Sequence, residues 1–235
     1  MKMMIKTLML VGMIAVAPFV YAQDITIYDG NSSSLSGWHG QQENQETEPG
    51  TETGQVWDME SFFLAGSQLK MTGGYNFTTP TGYKDFAPGD IFFDVNGNGY
   101  DFVATVSSAG LTYDVYALPA DTYSVYYSEN ANSNPWKYKS GGTLRESSLP
   151  VSYESFTDIE GTHYTATLDI SWLINTLYNG DSVRIHSTME CGNDNLMGEF
   201  INQTPQVPES NVLVSMSVLM GIVVIGLGRR IFKRM

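Results

Sequence analysis

From residue 24 to residue 189 the chain alternates short apolar and polar runs, punctuated by Gly, Asn, Asp and Pro. That period of two is the pattern of strands lying on a half-buried sheet. Residues 24–29 open it, with Ile25 and Ile27 spaced by polar neighbours. Residues 56–64 and 68–77 flank an Ala-Gly-Ser turn and predict a hairpin, with Leu69 and Met71 on one face and Lys70 on the other. Further strands are predicted over 90–95, 102–107, 111–118, 122–127, 164–170 and 182–189, all rich in Val, Ile, Thr, Tyr and Phe. Only residues 171–178 read as helix, about two turns of it. The polar stretches 39–55 and 129–150 read as loops. Many short strands at this spacing predict an all-β fold, a β-sandwich or jelly roll, because a parallel α/β sheet would need longer crossover helices. The predicted domain, residues 23–205, is long enough for one sizeable core and shows no internal repeat.

The two ends follow a different pattern. Residues 1–22 carry Lys2 and Lys6, an apolar stretch over 8–20, and small residues at Val20 and Ala22. This is the layout of a secretory signal peptide, with a mature start at Gln23; the competing reading, an N-terminal anchor, meets a stretch at the short end for spanning. Residues 212–228 form a second, uncharged apolar run. As a helix it would be ~26 Å long, enough to cross a membrane if nearly upright. Arg229, Arg230, Lys233 and Arg234 follow it and Glu209 precedes it, so the positive-inside rule puts the C-terminus in the cytoplasm and residues 23–210 outside.

Charge sharpens this division. The 235-residue chain has a formal net charge of −13, and all 25 of its Asp and Glu lie in the middle region. The cations there are Lys70, Lys84, Lys137, Lys139, Arg145 and Arg184. Such a field disfavours nucleic acid and anionic lipid. A charged fraction of 16% also argues against a coiled coil. The single cysteine, Cys191, excludes a disulfide scaffold within the chain and reads as a buried thiol.

Val207-Pro208-Glu209-Ser210, the apolar run and the basic end together form a three-part tail in residues 206–235. This tail resembles that of the PEP-CTERM family of exosortase substrates, with Val207, Pro208 and Glu209 matching and Ser210 standing where the family has a second proline. The segment 188–194, TMECGND, resembles the stretch that precedes such tails, and GDIFFDVNGNG (89–99) and NPW (134–136) add weaker similarity. The resemblance implies export by a Gram-negative, exopolysaccharide-forming bacterium, an inner-membrane intermediate held by residues 212–228, and processing by an exosortase. It implies an address and no chemical activity.

Candidate chemistry is sparse. No nucleophile-elbow, HExxH, P-loop or strand-linked GxGxxG motif is present, and His39, His163 and His186 are far apart in the chain. Asp58 and Glu60 alternate onto one strand face, which admits a glycosidase pair or simply an exposed acidic face. Asp94, Asn96, Asn98 and Asp101 place oxygen side chains at the spacing of the first half of a Ca²⁺ loop, although two Asn-Gly pairs favour a plain β-turn between two strands. Trp136 and Tyr138, in a polar stretch, are candidates for stacking on sugar rings of an extracellular polysaccharide. The expectation is an exported surface or matrix protein without catalytic activity, with a carbohydrate-binding module and a glycan hydrolase as rivals.

Overall fold

The structure, a computed structural model, describes residues 22–28, 47–48, 50–78, 86–107, 110–119 and 122–203. Strands make up 53% of it and helix 7%. The strands are β1 (Gln23–Asp24), β2 (Thr26–Ile27), β3 (Met59–Ala65), β4 (Gln68–Gly73), β5 (Ile91–Val95), β6 (Tyr100–Val106), β7 (Thr112–Ala117), β8 (Ser124–Tyr126), β9 (Lys137–Ser140), β10 (Thr143–Thr157), β11 (Thr162–Asp169), β12 (Ser182–Thr188) and β13 (Asn195–Ile201). One helical turn, α1 (Ser171–Ile174), follows β11.

Eleven strands form one antiparallel sheet in the order β1-β3-β4-β11-β10-β7-β6-β5-β12-β13-β2, and β8 and β9 form a separate ribbon. The two outermost strands are adjoining pieces of one segment. Gln23 and Asp24 pair with Leu64 and Phe63 of β3, while Thr26 and Ile27 pair with Gly198 and Met197 of β13. Between them the Ile25 N–H donates to the Phe62 carbonyl and its own carbonyl accepts from Glu199. The sheet is thereby nearly closed on itself. Closure satisfies backbone groups that an open edge would leave unpaired.

β10 makes the other large turn of the sheet. Thr143 to Pro150 pair with β7, whereas Val151 to Thr157 pair with β11. Two register shifts interrupt its first half, where Ser148 adopts φ 57° and donates its N–H to Asp114 Oδ1 at 2.8 Å. Bulges of this kind bend a strand and increase its twist.

Alternation fills the interior. Leu69 and Met71, Ile91 and Phe93, Tyr113 and Val115, Ala166 and Leu168, and Val183 and Ile185 all point into one core. Leu173 of α1 joins them, and Trp172 packs edge-on against Phe93 and Phe102 at 5.5 Å. The opposite face of β5, β6 and β7 is buried too: Phe92, Val103 and Leu118 form a second cluster under Tyr100, Tyr116, Tyr123, Val125 and Tyr138. The β8–β9 ribbon supplies that cover, which explains why Ile91-Phe92-Phe93 is a continuous apolar run instead of an alternating one.

The predicted hairpin is present with shorter strands, Met59–Ala65 and Gln68–Gly73 in place of 56–64 and 68–77, and half-buried Lys70 lies on the face opposite buried Leu69 and Met71. The expectation that 129–150 is a loop is wrong. It contains β9 and the start of β10, the longest strand, whose residues are mostly exposed. With neither face fully buried, no hydrophobic alternation marks it, and backbone pairing alone defines it. β13 is a further strand that the pattern does not predict, and residues 24–29 form two dipeptide strands around Ile25 in place of a single one. Among the described residues no helix is long and apolar enough to cross a membrane; residues 1–21 and 204–235, with the expected signal and tail, lie outside them.

Candidate functional site

The β5–β6 hairpin turn is built by its own side chains. Asp94 Oδ1 accepts the Asn98 N–H at 3.0 Å and Asp101 Oδ2 accepts the Val95 N–H at 2.7 Å. Asn96 and Gly97 sit at φ 63° and 75°, a left-handed pair that Asn and Gly tolerate best. The Asn96 amide points away to the neighbouring turn, donating to Asp181 Oδ1 at 3.0 Å and accepting the Ser182 N–H at 3.1 Å. Of the four residues predicted as Ca²⁺ ligands, Asp94 and Asp101 thus brace the turn and Asn96 ties it to β12. Burial raises the Asp101 carboxyl above its ordinary range, and the Asp94 charge adds to that.

Beside this turn lies an open cleft of about 620 Å³. The rings of Tyr100, Tyr123 and Tyr127 line it, with Asn98, Asp101 and Asn134 as polar groups. Tyr127 is 73% exposed. Burial, with Tyr123 and Asp94 adding to it, pushes the Tyr100 hydroxyl up to about 12, so it stays protonated and can donate. One exposed and two half-buried tyrosine rings, flanked by amides and a carboxylate, are an inventory that can stack on and hydrogen-bond a polyhydroxylated ligand.

Trp136 and Tyr138, the aromatics that the sequence singles out, do not line this cleft. Tyr138 stacks on Tyr116 at 4.7 Å and its hydroxyl donates to the Gly141 carbonyl. Trp136 is half-buried; its ring lies 6.3 Å from that of Tyr126 and 5.4 Å from Lys137 Nζ. Both serve to seat the ribbon, whose attachment is Asp90. This carboxylate is 1% exposed and accepts the Tyr138 N–H at 2.8 Å and the Val106 N–H at 3.3 Å. Burial raises its pKa to about 7 against those bonds and the nearby Lys137. Behind the same face His186 is buried against Phe92 and Tyr100, and burial pushes it down to about 4, which the Asn195 amide only partly opposes.

The segment 188–194 is a structural hub. Its turn at Gly192 (φ 66°) presses against Ser128, and the Ser133 hydroxyl donates to the Gly192 carbonyl at 2.9 Å. The Asn193 carbonyl accepts the Glu48 N–H and its side chain bonds the Glu52 backbone in both directions. Asp194, fully buried, accepts from the Met59 and Asn195 N–H groups. Cys191 is partly buried and forms no disulfide, and burial raises its thiol pKa.

Asp58 and Glu60 do not form an exposed acidic face, because both are buried. Glu60 instead meets His163, which reading the histidines singly does not bring together. Imidazole Nδ1 lies 2.7 and 2.9 Å from the two Glu60 oxygens, and Nε2 lies 3.0 Å from Asp158 Oδ1. Burial opposes protonation of His163, but Glu60 and Asp158 outweigh it and raise its pKa; burial raises that of Glu60 despite His163. The run Asp158-Ile-Glu160-Gly-Thr-His163 across one tight turn is the signal the sequence carries for this cluster. His39, Val207, Pro208, Glu209, Arg229, Arg230, Lys233 and Arg234 lie outside the described residues.

No protein-family model, curated protein or solved structure matches the chain significantly.

Proposed function

We propose that this chain is an exported bacterial surface or matrix protein of PEP-CTERM type, whose folded part associates with extracellular polysaccharide and catalyses no reaction. Its address is the signal of residues 1–22 and the tail of residues 206–235, the latter anchored through 212–228 until an exosortase removes it. The folded part is a flattened, sandwich-like β structure with corners at β10 and at Gln23–Ile27. In support of the address, β1 opens at Gln23, the residue where the sequence places the mature start. The observation that carries the glycan reading is the cleft of Tyr100, Tyr123 and Tyr127 with Asn98, Asp101 and Asn134 at its polar edge.

The test is binding of the purified protein to acidic and neutral exopolysaccharides. Tyr127→Ala and Tyr123→Ala should each weaken retention while leaving the circular-dichroism spectrum unchanged. Retention that is equal in wild type and both variants overturns the cleft as the site. Intact mass of exported material should begin at Gln23 and end close to Pro208 or Glu209; an intact C-terminus in the surface fraction would instead mean a plain single-span protein. Release of reducing sugar from any polysaccharide tested would replace the binding role with a hydrolytic one.

A further inference from the structure

Outside the cleft, the strongest chemical constellation is at the tip of the β10–β11 hairpin. His163 is 3% exposed, with the Phe156 ring stacked on the imidazole at 4.8 Å and 10°. Its Nδ1 side is fixed by Glu60, itself buried and held by a 2.7 Å hydrogen bond from the Gln55 amide. Its Nε2 side faces the solvent-exposed turn that carries Asp158 and Glu160. Asp158 is set in place by that turn: Oδ1 accepts the Glu160 N–H at 2.8 Å and the Gly161 N–H at 3.3 Å.

The hydrogen bonds of this arrangement fit more than one protonation state, because the Gln55 amide also lies 3.3 Å from Nδ1. A neutral imidazole has one N–H and one lone pair. With the proton on Nδ1 and donated to Glu60, the Nε2 lone pair points at a carboxylate oxygen 3.0 Å away. Two acceptors at that distance repel, and the repulsion is relieved by shifting the proton to Nε2, by a second ring proton, or by a metal ion standing in the proton's place. A carboxylate on one ring nitrogen, with the other nitrogen aimed at further carboxylates, is the outer-shell arrangement that orients histidine for metal binding and raises its basicity.

We propose that His163 Nε2, Asp158 and Glu160 bind a divalent transition ion, Zn²⁺ in the first instance, with Glu60 as the residue that positions the imidazole. The three potential ligand atoms lie within 4.8 Å of one another. Ligands about 2.1 Å from a common tetrahedral ion stand ~3.4 Å apart, so Asp158 Oδ1, 3.0 Å from Nε2, needs only a small outward shift, and reorientation of the exposed Glu160 side chain supplies the rest. The mixed nitrogen and oxygen set selects Zn²⁺ over Ca²⁺ and Mg²⁺, which prefer oxygen alone. Two of the ligands sit on the turn and one on β11, so the ion would clasp the end of the hairpin. The inference is independent of glycan binding.

Titration calorimetry of the purified full chain with ZnCl₂ tests it. One saturable Zn²⁺ site is expected, resistant to excess Ca²⁺ and abolished by His163→Gln. Glu60→Gln, which touches no metal, should weaken the site about 10- to 100-fold. Should either buried substitution disturb folding, the exposed pair Asp158→Asn and Glu160→Gln removes the ligands while sparing the core. Nitrogen chemical shifts of the His163 ring give the second readout: a metal-bound Nε2 supports the site. A doubly protonated ring that ignores Zn²⁺, or Zn²⁺ binding untouched by these substitutions, overturns it.

Discussion

Replacing Asp90 with asparagine changes both a charge and a hydrogen-bond acceptor beneath the β8–β9 ribbon. In the wild type the carboxyl is almost wholly buried, and its pKa rises from 3.8 to about 7. Between those values the folded state keeps a proton that the unfolded chain has released. Stability contributed by this group is therefore complete below about pH 4, declines as pH rises toward 7, and is level above it. The displacement corresponds to on the order of 4 kcal/mol across that window. The substituted amide carries no such charge, but its single oxygen can serve only one of the Tyr138 and Val106 N–H groups, a loss of about 1–3 kcal/mol at every pH. Urea unfolding of wild type and Asp90→Asn from about pH 4 to about pH 8 separates the two effects. The variant should be the less stable protein in acid and close the gap, or reverse it, by pH 8. His186 titrates in the opposite sense, its depressed pKa adding stability as pH rises from about 4 toward 6.5, but it does so in both proteins and cancels in the difference. Parallel stability curves would refute the assignment of a raised pKa to Asp90.

Ile25→Ala removes a side chain only 4% exposed at the closing segment, and should reduce unfolding free energy by about 2–5 kcal/mol; a loss within ~0.5 kcal/mol would mean that the closure contributes little. Gly89→Ala would drive a Cβ into the carbonyl oxygens of Thr188 and Trp136, so it should lower the melting temperature sharply and loosen the ribbon, while an unchanged melting curve would contradict the close approach. Asp94→Ala deletes the acceptor for the Asn98 N–H and should lose about 0.5–1.5 kcal/mol equally in Ca²⁺ and in chelator. A larger loss confined to Ca²⁺ would assign an ion to this turn.

Strands with a buried face announce themselves in the sequence, since alternation is the imprint of one dry side and one wet side. That is how Leu69 and Met71 can be separated from Lys70 by pattern alone. β10 leaves no such imprint because most of its residues contact solvent, and backbone pairing with β7 and, across a tight turn, with β11 is what defines it. The candidate site is legible to a similar degree. The 94–101 turn is visible as Asn-Gly dipeptides, and Asn134 and Pro135 of the NPW stretch do reach the cleft. The rings that line it do not stand out: Tyr100, Tyr123 and Tyr127 look like ordinary strand tyrosines until the ribbon folds over β6. Glu60 and His163 meet only through the β3-β4-β11 order, which residue spacing does not encode.

The closing segment also sets an order of events. Gln23–Asp24 can join β3 early, but Thr26–Ile27 must wait for β13, the last strand of the described fold. A chain emerging N-terminus first therefore keeps one side of that segment unsatisfied until almost everything else has appeared. Pairings between distant parts of a sequence fold slowly, because the intervening loop must be ordered first. Such a topology resists premature completion: partial chains expose sticky edges, yet they cannot lock into the nearly closed sheet. Under the export proposed above, late closure would keep the polypeptide threadable until its full length is through.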